Sequence, residues 1–384
     1  MKVLYLSSPP FFDLDLSFVK QMSKECDIHY LMNLSPYELK FTALSINNQK
    51  LEGKIYNAEE FIELHKFKKY IPLNKFHVIN RPTSKVYSYS NLRLQSEIVK
   101  FIDKINPDII HCGSILNTHF LYFLLSNKRK IILTVHDPFL HSGEETLRDR
   151  IIRKLNYLCI KNIVLLNDNQ KEKFIKATEF FRFKNVFNSS LGIYEYLLDY
   201  KVNQPSNKIF KILFFGRISM YKGIDDLLAA FSMIEKSYPN IELIIAGRGK
   251  YWFDISEYQN NFKIKILNRF IPNEELVELI SNTNIVVCPY KDATQSGVVM
   301  SAFALNKPVL GTRVGGLPEM IEEGKTGFLV PPNDVVALSE KLKELIENRN
   351  YLNQMGLNIK KEYTVGEKSW SGICKGLYKF YSEI

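Results

Sequence analysis

Cysteine is sparse in this chain. Its five residues, Cys26, Cys112, Cys159, Cys288 and Cys374, are odd in number and scattered, and no two stand at metal-ligand spacing. That argues against a disulfide framework or a cysteine-built metal centre and points to reduced thiols in a cytoplasmic protein. Long apolar runs are also lacking: none reaches the roughly 20 residues a spanning helix needs. The opening, Lys2 followed by VLYL and then Ser7-Ser8-Pro9-Pro10, reads as strand and loop and not as a signal peptide. Low-complexity segments and repeat periods are absent, which excludes a solenoid. So are the zincin, P-loop, GxSxG and dinucleotide-binding fingerprints.

What the chain has in excess is positive charge. Its 51 Lys and Arg outnumber 41 Asp and Glu, for a net +10. Such a balance favours phosphorylated substrates, anionic lipid or nucleic acid. With no nucleic-acid-binding motif, nucleic acid ranks last and is not expected as a partner. At 384 residues and 46% hydrophobic, the chain can bury the cores of two domains.

Short apolar runs alternate with longer amphipathic ones. Strands are expected at 3–6, 28–32, 76–79, 108–112, 131–136, 163–167 and 186–188, with helices at 14–24, 91–105, 116–125, 144–159 and 169–177. A polar stretch at 197–208 reads as a linker. Beyond it, strands are expected at 209–215, 241–246, 264–267, 285–288, 308–311 and 328–330. Helices are expected at 223–236, 252–259, 273–281, 298–305, 318–322 and 334–347, with Asn273 and Asp334 as caps. This rhythm implies α/β architecture: two doubly wound, Rossmann-like domains with parallel sheets. Trp370, Ile373, Leu377 and Phe380 form an apolar stripe on a last helix, either on the second domain or crossing back to the first. Facing across a cleft, the two sheets would aim the loops at their carboxyl ends into it.

The most informative stretch is KILFFGRISMYKG, residues 211–223. A buried strand breaks at Gly216 and a helix restarts at Gly223, so backbone N–H groups and a positive dipole end face the turn. Arg217 and Lys222 lie in that turn and suit a diphosphate, although two solvated loop cations are the bland alternative. A second helix start lies in YKDATQSGV (290–298). There Ser296 can cap the helix or donate to a phosphate, and Gly297 lets backbone approach. Gly247-Arg248-Gly249 and Arg269-Phe270-Ile271-Pro272 follow further strands. Each is weak by itself; the second could offer backbone groups to a flat base. In the first half, His136-Asp137-Pro138 ends a strand, and His136 is suited to donate to or orient a hydroxyl. His141-Ser142-Gly143 is a second candidate nearby.

In order, FFGRISMYKGIDDLL (214–228), LIIAGRG (243–249), RFIPNEEL (269–276), VVCPYKDATQSGV (286–298) and ALNKPVLGTRVGGLPEMIEEGKTGFLVPPND (304–334) resemble family four of the retaining, nucleotide-sugar-dependent glycosyltransferases of the GT-B fold. The first domain resembles it loosely, mainly through TVHDP (134–138). The resemblance implies an acceptor-binding domain at 1–200, a linker at 201–208, a donor-binding domain at 209–365 and a tail helix at 366–384 returning to the first domain. It implies that Arg217 and Lys222 bind the donor diphosphate and that backbone at Ser296, Gly297 and Val298 holds the distal phosphate. Phe270 and Ile271, with the Gly247–Gly249 turn, would flank the base, and His136 would contact the transferred sugar. It implies no cofactor and no metal, only a UDP- or GDP-linked co-substrate, since cations and helix ends neutralise the leaving group.

Much of the family carries two glutamates where this chain has Ala293 and Ser301; Asp292 adjoins the first and Ser301 could reach a ribose hydroxyl. The expected activity is metal-independent hexosyl transfer to a glycan or lipid-linked acceptor, in cell-surface polysaccharide synthesis. The alternatives are a non-catalytic partner subunit, or a nucleotide-sugar epimerase or phosphorylase. Basic residues Arg148, Arg150, Arg153 and Lys154 around Ile151, Ile152, Leu155 and Leu158, with 66–69 and 128–130, suggest a peripheral site on the anionic inner membrane face, although an ordinary surface helix whose apolar side meets the sheet is the bland alternative.

Overall fold

A computed structural model of the chain describes residues 1–34, 46, 51–81, 83, 85, 88–116, 120, 130–139, 146–202 and 209–384. The chain divides into two compact units, Met1–Gly192 with Trp370–Ile384, and Ile193–Ser369. His141-Ser142-Gly143, Lys128, most of the expected 116–125 helix and the 203–208 part of the linker lie outside the described residues.

The first unit is built on eight strands: β1 (Lys2–Ser7), β2 (Asp27–Leu34), β3 (Ile55–Asn57), β4 (Phe76–Asn80), β5 (Ile109–Cys112), β6 (Lys130–Val135), β7 (Asn162–Leu165) and β8 (Asn185–Asn188). Their order is β3-β4-β2-β1-β5-β6-β7-β8. Neighbours run parallel, except β3 against β4. β5 is buried throughout and β1 and β6 nearly so. Strands covered on both faces have no solvent side, so their sequence shows an unbroken apolar run instead of alternation. Its helices are α1 (Phe12–Met22), α2 (Tyr89–Ile105), α3 (Leu147–Cys159) and α4 (Lys171–Ala177). Leu94, Ile98 and Ile102 of α2 join Leu4, Leu31 and Ile110 of the sheet in one core.

The second unit holds β9 (Phe210–Phe215), β10 (Ile241–Gly247), β11 (Ile264–Asn268), β12 (Ile285–Cys288), β13 (Val309–Thr312) and β14 (Gly327–Val330), ordered β11-β10-β9-β12-β13-β14 and parallel throughout. Its helices are α5 (Ile224–Ile234), α6 (Ser256–Gln259), α7 (Asn273–Ser281), α8 (Gly297–Ala304), α9 (Leu317–Met320), α10 (Val335–Glu347) and α11 (Arg349–Thr364). The tail helix α12 (Trp370–Glu383) belongs to the first unit and packs on α1. There the Phe18 and Trp370 rings lie 6.1 Å apart.

In each sheet the winding reverses once, between β1 and β5 and between β9 and β12. At such a reversal the connections leave in opposite directions, and a crevice opens beyond the carboxyl ends of the two strands.

Several local expectations fail for identifiable reasons. β3 is a three-residue edge strand, too short to show a period. α11 carries its buried Leu352, Met355, Ile359 and Tyr363 among many polar residues, which dilutes its apolar stripe. The expected 252–259 helix shrinks to Ser256–Gln259, because Tyr251, Trp252 and Phe253 pack edge-on against one another before it. Asn273 is the first helical residue and not the cap. Asp334 does cap, its carboxylate accepting from the Ala337 N–H at 2.9 Å. The compact units part at Gly192, ahead of 201–208, since Glu195–Asp199 packs on α8.

Candidate active site

The loops after β9 and β12 meet at the second sheet's switch point. Gly223 ends the first loop with φ +65°, and a Cβ there would stand 1.8 Å from the Pro289 carbonyl oxygen. The Lys291 N–H donates to the Tyr221 carbonyl at 2.7 Å, which ties the loops together. On the other side, a Cβ at Gly247 (φ +152°) would stand 1.8 Å from the Gly216 carbonyl oxygen. Asn268 holds the Gly249 peptide from both ends, its Oδ1 accepting at 3.2 Å and its Nδ2 donating at 3.1 Å.

This packing brings both cations to one place. The Lys222 ammonium lies 3.7 Å from the centroid of the buried Tyr290 ring and 4.9 Å from that of Tyr221. Arg217, exposed, donates from Nη2 to the Tyr221 hydroxyl at 3.1 Å. The Tyr290 and Ser296 hydroxyls are 3.1 Å apart. Ser296 therefore sits at the N-cap of α8 with its side chain turned to Tyr290, making no cap bond to the helix's first turn. A Cβ on Gly216 would come within 3.4 Å of Val298, so the end of β9 lies against the start of α8. Burial pushes the Cys288 thiol up to about 11 against the pull of the Lys222 charge, so it stays protonated beside the cluster.

Among the expected donor residues, Gly216, Arg217, Lys222, Ser296, Gly297 and Val298 are thus brought together. Gly247 and Gly249 flank them. Arg269 engages Glu275 through two bonds of 2.7 and 2.6 Å, which orders the turn bearing the exposed Phe270. Ile271 follows in that turn, half-buried. Asp292 is half-buried in the loop ahead of Ser296. Ser301 is buried and donates to the Gly297 carbonyl at 2.9 Å. Tyr290, Tyr221 and Asn268 had no role assigned from sequence. An aromatic residue just past Pro289, after a buried strand that ends at a switch point, was the available signal for Tyr290.

The first unit has its own crevice. A cavity of about 300 Å³ is lined by Ser7, Phe11, Asn33, His136, Asp137 and Arg153, among others. The His136 ring stacks on Phe11 at 4.3 Å, and its Nε2 lies 2.8 Å from the Gly113 carbonyl oxygen. A carbonyl only accepts, so Nε2 carries the hydrogen and Nδ1 is the acceptor. Burial lowers the His136 pKa, the Gly113 bond and Asp137 opposing, so the ring stays neutral. Asn33 Oδ1 is buried without a hydrogen-bond partner. Arg153 donates to the Asp137 carbonyl at 2.5 Å and the Tyr157 hydroxyl at 3.2 Å. It therefore lines this cavity, unlike the exposed Arg148, Arg150 and Lys154 with which the sequence grouped it. No group of three or more potential metal ligands occurs among the described residues.

Two family descriptions match the chain: "Glycosyl transferases group 1" over residues 199–362 and "Glycosyl transferase 4-like" over 28–168. The chain belongs to family four of the GT-B glycosyltransferases. The capsular polysaccharide biosynthesis glycosyltransferase CapM of Staphylococcus aureus is 28% identical over 55% of this glycosyltransferase and 59% of its own length. The N-acetyl-alpha-D-glucosaminyl L-malate synthase of Bacillus anthracis is 23% identical over 78% of this chain and 84% of its own. Among solved structures, Anabaena HepE in complex with UDP superposes with a TM-score of 0.70 over 100% of both chains, at 15% identity. The UDP-GlcNAc 2-epimerase of Neisseria meningitidis superposes with a TM-score of 0.62 over 99% of this chain and 100% of its own, also at 15% identity. At such identities the likeness is one of fold.

Proposed function

We propose that this glycosyltransferase moves a hexosyl group, with retention and without a metal, from a UDP- or GDP-linked sugar to a glycan or lipid-linked acceptor in cell-surface polysaccharide synthesis. The observation that supports it is the cluster of Lys222, Tyr290, Tyr221 and Arg217 beside the start of α8. As the bond from the anomeric carbon to phosphate breaks, its electron pair moves onto the diphosphate. Fixed cations and N–H groups stabilise that growing charge more in the transition state than in the ground state. The acceptor oxygen forms the new bond on the same face, and its proton passes to a phosphate oxygen. Phe270, Ile271 and the Gly247–Gly249 turn flank the base, Asp292 and Ser301 serve sugar and ribose, and His136 Nδ1 accepts from a hydroxyl of the transferred sugar. The unpartnered Asn33 Oδ1 favours an acceptor with a hydroxyl to donate to it.

Thermal-shift measurements with UDP, GDP and their sugars test donor binding, since a ligand that binds only the folded chain raises its midpoint. NMR of the product, made in the presence of EDTA, tests stereochemistry and metal independence. An inverted product, or no shift with any nucleotide, overturns the assignment.

A non-catalytic partner subunit is the second reading. Ala293 and Ser301 stand in its favour, the Ser301 hydroxyl already donating to Gly297. Donor turnover by the isolated chain excludes it. The same NMR experiment detects an epimerase, which would alter the donor sugar without an acceptor, and a phosphorylase, which would need inorganic phosphate.

We further propose that α3 docks on an anionic leaflet at the inner membrane face. Leu147, Ile151 and Leu158 are exposed along one side, beside exposed Arg148, Arg150 and Lys154. Apolar residues in the headgroup boundary with cations at its edge describe an interfacial helix. No helix among the described residues is long and apolar enough to cross a membrane. Flotation with vesicles containing phosphatidylglycerol, and none with phosphatidylcholine alone, is the expected result; equal behaviour with both overturns it.

A further inference from the structure

A second cavity, of about 550 Å³, opens in the second unit at the other end of its sheet. Asn284 immediately precedes β12 and Pro308 immediately precedes β13, and both line it. Lys222 and Tyr290 lie beyond the carboxyl ends of those strands, so β12 separates the two places by its full length, roughly 13 Å for four residues.

The lining is one-sided in charge. It includes Lys307, Arg349 and Lys360 and no carboxylate. Lys307 is half-buried, and its ammonium donates to the Thr283 carbonyl at 2.8 Å. Burial lowers its pKa below the ordinary lysine range. An ammonium taken from water and given a neutral carbonyl is poorly compensated, and an anion would compensate it better. The Arg349 guanidinium lies 5.4 Å from the Phe210 ring centroid, which holds its position beside the sheet.

Beside Thr283, Pro308, Leu352, Gly356 and Leu357, the lining carries four asparagine amides. Asn282, Asn306 and Asn353 contribute groups that both donate and accept, the pairing a sugar hydroxyl offers. Asn284 differs: its Oδ1 already accepts from the Lys211 N–H at 2.8 Å, leaving the NH2 to donate. α11 closes one side, with Gly356 so near Asn306 that a Cβ would stand 2.8 Å from its carbonyl oxygen. No aromatic side chain lines the space, so a nucleotide base finds no stacking surface.

We propose that this cavity binds a phosphorylated sugar, its phosphate among Lys307, Arg349 and Lys360 and its hydroxyls on the asparagine amides, independently of the donor site. Neither the donor assignment nor the acceptor assignment is needed for it.

Isothermal titration calorimetry of the full chain with glucose 6-phosphate tests this, with glucose and inorganic phosphate as parallel titrants. Lys360→Gln with Asn353→Ala changes two exposed side chains and spares the fold, as an unchanged thermal midpoint checks. Losing a charged hydrogen bond and an amide contact weakens binding about tenfold or more. Saturable binding of the sugar phosphate, tighter than either parallel titrant, weakened in that double variant and within about twofold of the parent in Lys222→Ala, supports the proposal. Absence of binding overturns it, as does equal affinity for inorganic phosphate, which would mean an adventitious ion only. Binding lost in Lys222→Ala but kept in the double variant overturns it too, by moving the ligand to the donor loops.

Discussion

The Lys222 ammonium stands 3.7 Å from the centre of the Tyr290 ring, and the hydroxyl of that ring lies 3.1 Å from Ser296 Oγ. One buried tyrosine thereby links the loop after β9 to the start of α8. Lys222→Ala and Arg217→Ala each remove a cation proposed to face the leaving group. Each is expected to lower kcat/KM by about 2–4 kcal/mol of transition-state stabilisation, with the thermal midpoint little changed. Turnover within about threefold of the parent in both variants would remove the assignment.

Gly223→Ala tests the close approach of the two loops. Its φ of +65° costs an L-residue about 1–2 kcal/mol, and the new methyl meets the Pro289 carbonyl besides. Denaturant unfolding should show a loss larger than the backbone cost alone. A stability equal to the parent's would mean the loops can part without penalty.

Asp15 offers a pH test in the first unit. It is fully buried and accepts from the Tyr5 hydroxyl at 3.1 Å and the Tyr30 hydroxyl at 2.9 Å. Burial raises its pKa to about 7, hydrogen bonds from Ser7, Tyr30 and Tyr5 opposing. The folded state thus holds a proton that the unfolded state releases near pH 4. Its contribution to stability is full below that pH and is lost as pH rises to about 7. His77 and His111, lowered by burial to about 4 and about 3, act in the opposite direction as pH falls below 6.5. The informative quantity is therefore the stability of the parent minus that of Asp15→Asn. It should fall by about 4 kcal/mol between pH 4 and pH 8. A difference independent of pH would mean that Asp15 is ionised throughout.

Tyr381→Phe tests how the tail is held. The Tyr381 hydroxyl lies 2.5 Å from His111 Nδ1, and His111 Nε2 lies 2.7 Å from Thr134 Oγ1. All three residues are buried. Removing the hydroxyl leaves a buried ring nitrogen without its partner, at a cost of about 1–3 kcal/mol in unfolding free energy. The companion Lys379→Ala, at an exposed position of the same helix, should change nothing measurable.

Much of the fold was legible because parallel strands buried on both faces leave long apolar runs. β5 and β12 are buried at every position, and their expected bounds fell within a residue of the observed ones. That the two loops come together was legible too, since Gly216, Arg217, Lys222, Ser296 and Gly297 fall within two short segments at strand-to-helix turns, and these are the loops proposed to hold the donor. Roles carried by a single side chain were not. Asn268 and Tyr290 act through partners far along the chain and Asn33 through having none, and neither leaves a period.

By itself, the amino-acid order determined which segments become strand and helix and which turns carry cations and glycines, because burial and backbone preference act over a few neighbouring residues. Only the tertiary structure decided that Trp370–Glu383 packs on α1, that Arg153 turns to the cavity of the first unit, and that asparagines from positions 282 to 353 line one space. Those outcomes depend on contacts between distant parts of the chain, which local pattern does not specify and which close packing selects.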